Sequence, residues 1–303
     1  MGLLQIFGKS PKRLKGKVVF ITGASSGIGE HTAYALAKHG VKLILTARRN
    51  NELQRVKQEC IAISRGQLED NDVLVIPMDL LDISSHKMHF QHAVRHFGTV
   101  DILVNNAGRS QRALWDTTEL TVDKQLFDLN VFSVVNLTRV ALEHFNQKGE
   151  GHVVVVSSIA GVVGAPFSGT YTGSKHAIQG YFNSLRLEKM GQNIDVTLLC
   201  PGPTFTSFLS EAFTDKDGEK FNVPVQPTDH RMTAKRCGEL NAIAIVNKVN
   251  EAWMGLIPMM PVTYLAVYFP LIFSLAGKIA GPQLFSKLRD SKKSELSENK
   301  KSK

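Results

Sequence analysis

Three side chains near the middle of the chain have the types and the spacing needed to move a proton. Ser158 follows an apolar β-branched run, Tyr171 lies thirteen residues later, and Lys175 lies four residues after the tyrosine. Residues four apart in a helix share one face, so a helix over 171–190 would place Tyr171 beside Lys175. A tyrosine, an ammonium group and a strand-end serine can pass a proton to or from a substrate oxygen. This chemistry requires a redox cofactor or another reactant nearby.

A glycine-rich turn directly after the first apolar run predicts where such a cofactor binds. Residues 17–22 read as a strand, and they lead into Thr22-Gly23-Ala24-Ser25-Ser26-Gly27-Ile28-Gly29 and a helical period. Glycine lets the turn tighten and exposes backbone N–H groups, and the helix amino terminus adds partial positive charge. This placement between strand and helix is the context that favours a dinucleotide. A structural turn without a ligand is the alternative.

Two arginines, Arg48 and Arg49, follow the second apolar run. A site for NAD usually has an acidic residue at this point, whereas an arginine can pair with the 2′-phosphate of NADP. No Asp or Glu occurs between Val41 and Asn51. The sequence therefore favours NADP(H) over NAD(H), with Arg48 as the main determinant and Arg49 as a helper. A solvated arginine at a helix start would explain each residue equally well.

Short apolar runs alternate with longer helical periods over the first two thirds of the chain. The runs predict strands at 17–22, 42–47, 73–77, 102–106, 152–157 and 194–200. The periods between them predict helices near 27–39, 51–64, 82–97, 120–147 and 171–190. This alternation predicts an α/β fold, a doubly wound parallel sheet with helices on both faces, in a single domain.

We place the catalytic domain at 17–256, including a substrate loop at 204–232. The loop is rich in turn-forming residues and contains several phenylalanines. Such a composition suits an apolar lid over a hydrophobic substrate, and a surface helix with a buried aromatic stripe is the alternative. The long helical patterns at 120–147 and 171–190 are compatible with a homodimer.

Composition and charge exclude several classes of protein. Three cysteines without metal-type spacing indicate a reducing compartment and no disulfide framework. The net charge of +9 lies at the two ends, because residues 1–17 carry +5, residues 286–303 carry +4, and the remainder is balanced. A neutral body with basic ends argues against nucleic-acid binding and suits an anionic membrane surface; solubilising tails are the alternative.

A group of four histidines is not expected to bind a metal. Their spacings of three, three and four place them on a polar helix face, which we expect to be solvated, whereas a metal needs ligands that converge. The four residues are His86, His89, His92 and His96.

An uncharged segment at 252–277 is long enough to cross a bilayer. Three prolines interrupt it, however. A crossing would also place the basic tail, 286–303, on the far side of the membrane, which is against the positive-inside tendency. We favour an apolar extension at 257–285 that packs on the substrate mouth and dips into one leaflet. A soluble lid or dimer contact and a true span are the alternatives. The amino-terminal segment 1–16, apolar and then basic, predicts a weak interfacial contact.

Further residues, most of them at strand ends and one, Asn130, in the long helical pattern, complete a pattern that resembles a known family. In chain order they are Asp79, Leu80, Asn105, Asn106, Ala107, Gly108, Asn130, Pro201, Gly202 and Thr206. With the glycine turn and the serine, tyrosine and lysine, they make residues 15–253 resemble a short-chain dehydrogenase/reductase of the ordinary, non-extended type. More narrowly, the run at 105–112 resembles the group called dehydrogenase/reductase member seven.

The resemblance implies a Rossmann fold and an oxidoreductase that interconverts a hydroxyl and a carbonyl. It implies that Tyr171 is the general acid/base and that Ser158 binds the substrate oxygen. Lys175 would hold the nicotinamide ribose and lower the pKa of the tyrosine, and Asn130 would support a water-linked proton path. A non-catalytic dinucleotide- or lipid-binding scaffold is the alternative, and loss of Ser158, Tyr171 or Lys175 would have favoured it.

The resemblance also implies a cofactor and a location. Asp79 and Leu80 would contact the adenine, Asn106–Gly108 and Pro201–Gly202 would line the cofactor, and Thr206 would contact the nicotinamide amide. Many NADP-using relatives carry a second basic residue in the glycine turn, where this chain has Ser25 and Ser26, so the cofactor assignment rests on Arg48.

The member-seven group is membrane-associated and acts on steroid- or retinoid-like carbonyls, so the resemblance implies a lipophilic substrate. The ending at 300–303 resembles an endoplasmic-reticulum retrieval signal. We therefore expect the cytosolic face of an intracellular membrane, with the endoplasmic reticulum favoured and a cytoplasmic location as the alternative.

Overall fold

A parallel sheet forms the centre of the computed structural model, which describes residues 2–280. Its strands are β1 (Val18–Thr22), β2 (Lys42–Ala47), β3 (Val73–Pro77), β4 (Ile102–Asn105), β5 (Gly151–Val156), β6 (Ile194–Pro201) and β9 (Glu251–Met254). Two short strands, β7 (Thr204–Phe205) and β8 (Met232–Thr233), pair separately. The seven-stranded order is β3-β2-β1-β4-β5-β6-β9, with every pair parallel.

Helices cover both faces of this sheet. They are α1 (Gly2–Phe7), α2 (Gly27–Ala37), α3 (Asn50–Ile63), α4 (His86–Phe97), α5 (Leu120–Phe127), α6 (Ser133–Lys148), α7 (Gly169–Glu188), α8 (Ala234–Val246), α9 (Met259–Tyr268) and α10 (Pro270–Ala280). One core packs α2, α3 and α8 on the sheet, and the other packs α4, α6 and α7 on its opposite face. The predicted doubly wound α/β fold is confirmed.

The β-branched composition of the central strands explains why they lie in the middle. All residues of β1 and of β5 are buried. Successive side chains of a strand point to opposite faces, so Val19 and Val154 enter one core while Phe20 and Val153 enter the other. A strand buried on both faces needs this continuous apolar run.

Several elements differ from the sequence prediction. The helix predicted at 120–147 is interrupted at Asp128–Phe132 by a π-helical segment that joins α5 to α6. Helix α8 was not predicted. Residues 252–254 form part of β9, so the uncharged run begins inside the sheet.

The remainder of the uncharged run forms α9 and α10. Pro261 lies in the first turn of α9 and Pro270 is the first residue of α10, positions where a proline costs no helical hydrogen bond. None of the helices within residues 2–280 is both long and apolar enough to cross a membrane. The last part of the predicted extension, 281–285, and the basic tail, 286–303, lie outside the described residues.

Candidate active site

A cavity of about 1020 Å³ opens at the carboxyl ends of the central strands. This is the edge where parallel α/β sheets bind ligands, next to the point where the strand order reverses between β1 and β4. Arg48 and Asp79 line one end of the cavity, and Ser158, Tyr171 and Lys175 line the other. One cavity therefore joins the predicted cofactor residues to the predicted proton-transfer residues.

The packing of α7 on the end of β5 positions the serine, the tyrosine and the lysine. The Lys175 Nζ donates to the Val156 carbonyl oxygen at 2.9 Å and lies 5.8 Å from the centroid of the Tyr171 ring. The Ser158 Oγ accepts from the Ala160 N–H at 3.1 Å. A Cβ at Gly161 would lie 2.8 Å from the Lys175 carbonyl oxygen, so this close approach of helix and strand requires a glycine.

Burial shifts the ionisation of both groups on α7. It lowers the pKa of Lys175 to about 8. Burial also raises the pKa of Tyr171 above its ordinary value, while a hydrogen bond with Ser158 and the positive charge of Arg112 act in the lowering direction. The family resemblance implies the opposite direction, because Lys175 would favour the phenolate. In the structure, desolvation of the phenol outweighs the charges that favour its anion.

Arg112 is a cavity residue that the sequence pattern did not indicate. Its Nη1 donates to the Ser168 Oγ at 2.8 Å and to the Ser110 Oγ at 3.0 Å. Ser168 directly precedes α7, so this contact ties the chain after β4 to the start of the helix that carries Tyr171. No local sequence signal distinguishes Arg112 from a surface arginine.

Asn130 lies outside the cavity wall, in the π-helical segment. Its Oδ1 accepts from the Arg109 N–H at 2.9 Å, and its Nδ2 donates to the Arg109 carbonyl at 2.9 Å and to the Ser174 Oγ at 3.0 Å. Segments of this kind often occur at functional sites. A Cβ on Gly108 would lie 3.0 Å from the Asn130 Oδ1 and 3.7 Å from the Lys175 Nζ, so Asn130 and Lys175 flank the same glycine.

The glycine turn contains both lining and supporting residues. Gly23, Ser25, Ser26, Gly27 and Ile28 line the cavity. Thr22 and Gly29 do not, although both were predicted to bind the cofactor. The Thr22 Oγ1 accepts from the N–H groups of Asn106 and Ala107 at 3.0 and 3.1 Å. A Cβ on Gly29 would lie 2.3 Å from the Gly23 carbonyl oxygen, so these two residues hold the turn against the end of β4.

The arginines after β2 both line the cavity. Arg48 is exposed at its edge, whereas the Arg49 Nη2 donates to the Ser25 Oγ at 3.3 Å and to the Ser26 Oγ at 3.2 Å. The structure thus places a cation over the serines of the turn, where many NADP-using relatives carry a basic side chain. Arg49 reaches from the neighbouring strand to this position.

The remaining predicted cofactor residues also meet at this cavity, namely Asp79, Leu80, Asn106, Ala107, Gly108, Pro201, Gly202 and Thr206. The Asp79 Oδ1 accepts from the Leu81 N–H at 3.0 Å, and the Pro201 carbonyl accepts from the Ser158 Oγ at 3.4 Å. Thr206 lies against the glycine turn, because a Cβ on Gly27 would lie 3.0 Å from its Cγ2.

Apolar side chains from two segments line the far part of the cavity. The substrate loop, residues 204–232, contributes Phe208 and Leu209, and α9 contributes Met259, Val262 and Ala266. The Phe208 ring lies edge-on to Tyr171, with 6.0 Å between centroids. The part of the cavity next to the tyrosine is therefore apolar.

The four histidines do not form a metal centre, and within residues 2–280 no group of three or more His, Cys, Asp or Glu side chains could hold one. His86 is wholly buried, with its Nε2 3.0 Å from the Leu80 carbonyl. The prediction that this helix face is solvated is wrong for His86, because the side chain turns inward to the end of β3.

The chain matches known proteins over most of its length. Residues 17–217 match the family described as short chain dehydrogenase. A human protein named dehydrogenase/reductase SDR family member 7 is 42% identical over 267 residues, which cover 87% of this chain and 77% of that protein. The mouse protein of the same name is 40% identical over 266 residues, covering 87% and 78%.

A solved structure shows the same fold. It is an alcohol dehydrogenase from the archaeon Thermococcus sibiricus in complex with 5-hydroxy-NADP, with a TM-score of 0.67, 24% identity, and coverage of 80% of this chain and 97% of that one. Given the match over residues 17–217 and the two mammalian relatives, this chain belongs to the short-chain dehydrogenase family of oxidoreductases.

Proposed function

We propose that this protein is an NADP(H)-dependent oxidoreductase that interconverts a hydroxyl and a carbonyl on a lipophilic substrate. One observation carries the proposal. A single cavity joins Arg48 and the glycine turn to Ser158, Tyr171 and Lys175. The solved relative binds an NADP derivative in the same fold, which supports a nicotinamide dinucleotide for this chain.

The residues present fit a dinucleotide. The cavity volume of about 1020 Å³ is at the upper end of the range for small-molecule sites. Gly23 and Gly27 line it at the amino terminus of α2, where backbone N–H groups and the helix dipole attract phosphates. Arg48 supplies a cation at the end of β2, and no Asp or Glu occurs between Val41 and Asn51, so this end suits a 2′-phosphate better than a free ribose hydroxyl.

The side chains of this protein carry out the proton transfer. When bound, the nicotinamide dinucleotide donates or accepts the hydride. The Ser158 hydroxyl binds the substrate oxygen, and the Tyr171 hydroxyl gives that oxygen a proton in reduction and takes one in oxidation. The Lys175 ammonium, fixed by the Val156 carbonyl, would hold the cofactor ribose. Asn130 would support a water-linked proton path from the site.

The apolar wall next to Tyr171 supports a lipophilic substrate. Phe208, Leu209, Met259 and Val262 line the cavity, and the Phe208 ring packs edge-on to Tyr171. Burying apolar surface contributes about 25 cal/mol per Å², so a hydrocarbon-rich alcohol or carbonyl gains most from this wall. Steroid-, retinoid- and lipid-aldehyde-like compounds share this chemistry.

The variant Tyr171→Phe tests the proposal. It should reduce kcat with a retinoid, steroid or lipid aldehyde about 10²- to 10⁴-fold, as expected for loss of a general acid. Its dissociation constant for NADPH, measured by fluorescence titration, should not change. Tyr181→Phe removes the hydroxyl of a half-exposed tyrosine on the same helix and serves as the matched control.

Three outcomes would count against parts of the proposal. Unchanged turnover in Tyr171→Phe would remove the tyrosine from the mechanism. Faster turnover with NADH than with NADPH would refute the cofactor preference. Tight NADPH binding without turnover of any substrate in the panel would instead support a non-catalytic dinucleotide-binding scaffold.

We also propose that α9 and α10 dock on the cytosolic face of an intracellular membrane, with the endoplasmic reticulum favoured. Their outer side exposes large apolar side chains, namely Tyr264, Tyr268, Phe269, Leu271, Ile272, Leu275 and Ile279. Contiguous exposed apolar surface of this kind marks an interaction site, and the aromatic rings suit the lipid–water interface.

Co-sedimentation with phosphatidylcholine–phosphatidylserine vesicles tests this docking. A Leu271→Glu, Leu275→Glu variant should lose at least tenfold in partitioning, because burying each leucine contributes roughly 1.5–3 kcal/mol. The control places the same charges at Leu187 and Met190, which are equally exposed near the end of α7. Equal partitioning of the two variants would refute docking through α10.

A further inference from the structure

Arg109 lines the cavity that joins the predicted cofactor residues to the proton-transfer residues, and the sequence pattern gave no sign of a role for it. It follows the predicted cofactor residue Gly108, and Asn130 fixes its backbone through both its N–H and its carbonyl group, each at 2.9 Å. The side chain lines the cavity and is 18% exposed. A buried amide that holds both backbone groups of one residue determines where that residue's side chain begins.

The substrate loop brings an ion pair to this arginine. Phe213 joins the loop to the chain after β4, because its N–H donates to the Ser110 carbonyl at 2.9 Å and its carbonyl accepts from the Arg112 N–H at 2.8 Å. The Arg109 guanidinium lies over the Phe213 ring, 4.6 Å from the centroid. Glu211 lies two residues before Phe213 in the loop, and its Oε2 is 3.5 Å from the Arg109 Nη2.

Positive charge exceeds negative charge in this cluster. The Glu211 Oε2 is also 3.0 Å from the Lys220 Nζ. Lys220, Arg109 and Arg49 all lower the pKa of the Glu211 carboxyl. Burial, together with the nearby charge of Arg48, lowers the pKa of Arg109. Three cations thus act on one carboxylate, and Arg48 adds a fourth positive charge beside Arg109. Such an excess of positive charge attracts a further anion.

We propose that Arg109 is a cofactor-specificity residue that binds, together with Arg48, the phosphate that distinguishes NADP(H) from NAD(H), and that Glu211 competes with this phosphate. The proposal rests on the NADP(H) preference proposed above and extends it to residues outside the glycine turn and β2. A phosphate monoester brings up to two negative charges into a cluster whose carboxylate is half-exposed and already paired with Lys220 at 3.0 Å.

Calorimetric titration of the cofactor-free protein with two fragments tests the role of Arg109. Adenosine 2′,5′-bisphosphate carries the distinguishing phosphate, and adenosine 5′-monophosphate lacks it. Arg109→Gln should weaken binding of the bisphosphate about tenfold, the scale of one charged hydrogen bond, and leave the monophosphate unchanged. Arg109→Lys keeps the charge and should restore part of the loss.

Glu211→Gln is an independent test that does not alter the arginine. Removing the competing carboxylate should tighten binding of the bisphosphate about threefold, the scale of a partly exposed ion pair, with no effect on the monophosphate. Lys87→Gln breaks an exposed ion pair with Glu143 and provides the control for a change of charge elsewhere. If Arg109→Gln fails to fold, an unchanged affinity in Glu211→Gln overturns the proposal.

Arg48→Gln separates this inference from the proposed function. If Arg48→Gln loses selectivity for the bisphosphate while Arg109→Gln keeps it, the role of Arg109 is refuted and the NADP(H) preference stands. Equal weakening of both fragments by Arg109→Gln would place the residue on a shared phosphate and would also refute the proposal. If the unaltered protein binds both fragments equally, the NADP(H) preference fails as well.

Discussion

Replacing Asn130 by alanine should destabilise the protein more than replacing the other buried asparagine of the site, Asn105. Asn130 is 1% exposed and makes three side-chain hydrogen bonds, two to Arg109 and one to Ser174. Asn105 is 2% exposed and makes one, to Thr138 at 2.9 Å. The two variants therefore remove the same side chain from equally buried positions but break different numbers of bonds.

The magnitudes follow from the groups left without partners. Each lost hydrogen bond that strands a buried donor or acceptor costs roughly 1–3 kcal/mol. Alanine, being the better helix former, recovers about 0.5 kcal/mol at Asn130. Taking about 1–2 kcal/mol for each bond, we expect Asn130→Ala to lower the free energy of unfolding by about 2.5–5.5 kcal/mol, and Asn105→Ala by about 1–2 kcal/mol.

Urea unfolding followed by tryptophan fluorescence measures the free energy of unfolding of the unaltered protein and of the two variants. The three values can be compared when the slope of the transition is the same in each. Binding of a cofactor fragment provides a second measurement. Asn130→Ala frees the backbone of Arg109 and should weaken binding of adenosine 2′,5′-bisphosphate, whereas Asn105→Ala should not. Equal destabilisation by the two substitutions would refute the assignment of Asn130 as the residue that holds the Arg109 backbone.

Two further predictions follow from other contacts. Arg112→Gln removes a positive charge that lowers the pKa of Tyr171, so the rise of kcat/KM with pH for alcohol oxidation should move to higher pH; an unchanged profile would show that the charge does not act on the tyrosine. Gly27→Ala should destabilise the protein about 1 kcal/mol more than Gly16→Ala, because both glycines have positive φ but only Gly27 meets a neighbour, the Thr206 Cγ2. Adding Thr206→Ser to Gly27→Ala should recover that difference, and thermal unfolding that shows no recovery would contradict the packing argument.

The fold could be predicted because each central strand is a continuous apolar run. The valines of β5 have no polar residue between them, and a run buried on both faces is hard to confuse with an amphipathic helix. Parallel strands then bring their carboxyl ends to one edge, so residues far apart in the chain, such as Ser158 and Gly23, were expected at one cavity. The structure places them there.

The elements that were missed lack a local signal. Apart from its first residue, Glu251, strand β9 lies in the uncharged run at 252–277, where alternation between polar and apolar residues cannot be seen. The π-helical segment keeps a helical pattern on both sides, so the interruption at Asn130 leaves no trace in the periodicity. Arg109 and Glu211 form an ion pair across a long stretch of chain, and the pairing of Phe213 with the chain after β4 brings them together.

Helix α9 presents two different surfaces along one short segment. Met259, Val262, Thr263 and Ala266 line the cavity, and Tyr264 and Tyr268 lie on the outside with the ring of Trp253. The inner positions follow the i, i+3, i+4, i+7 spacing of one helical face. The residues that line the cavity and the residues on the exposed side are therefore interleaved in sequence, and each set can change while the other is kept.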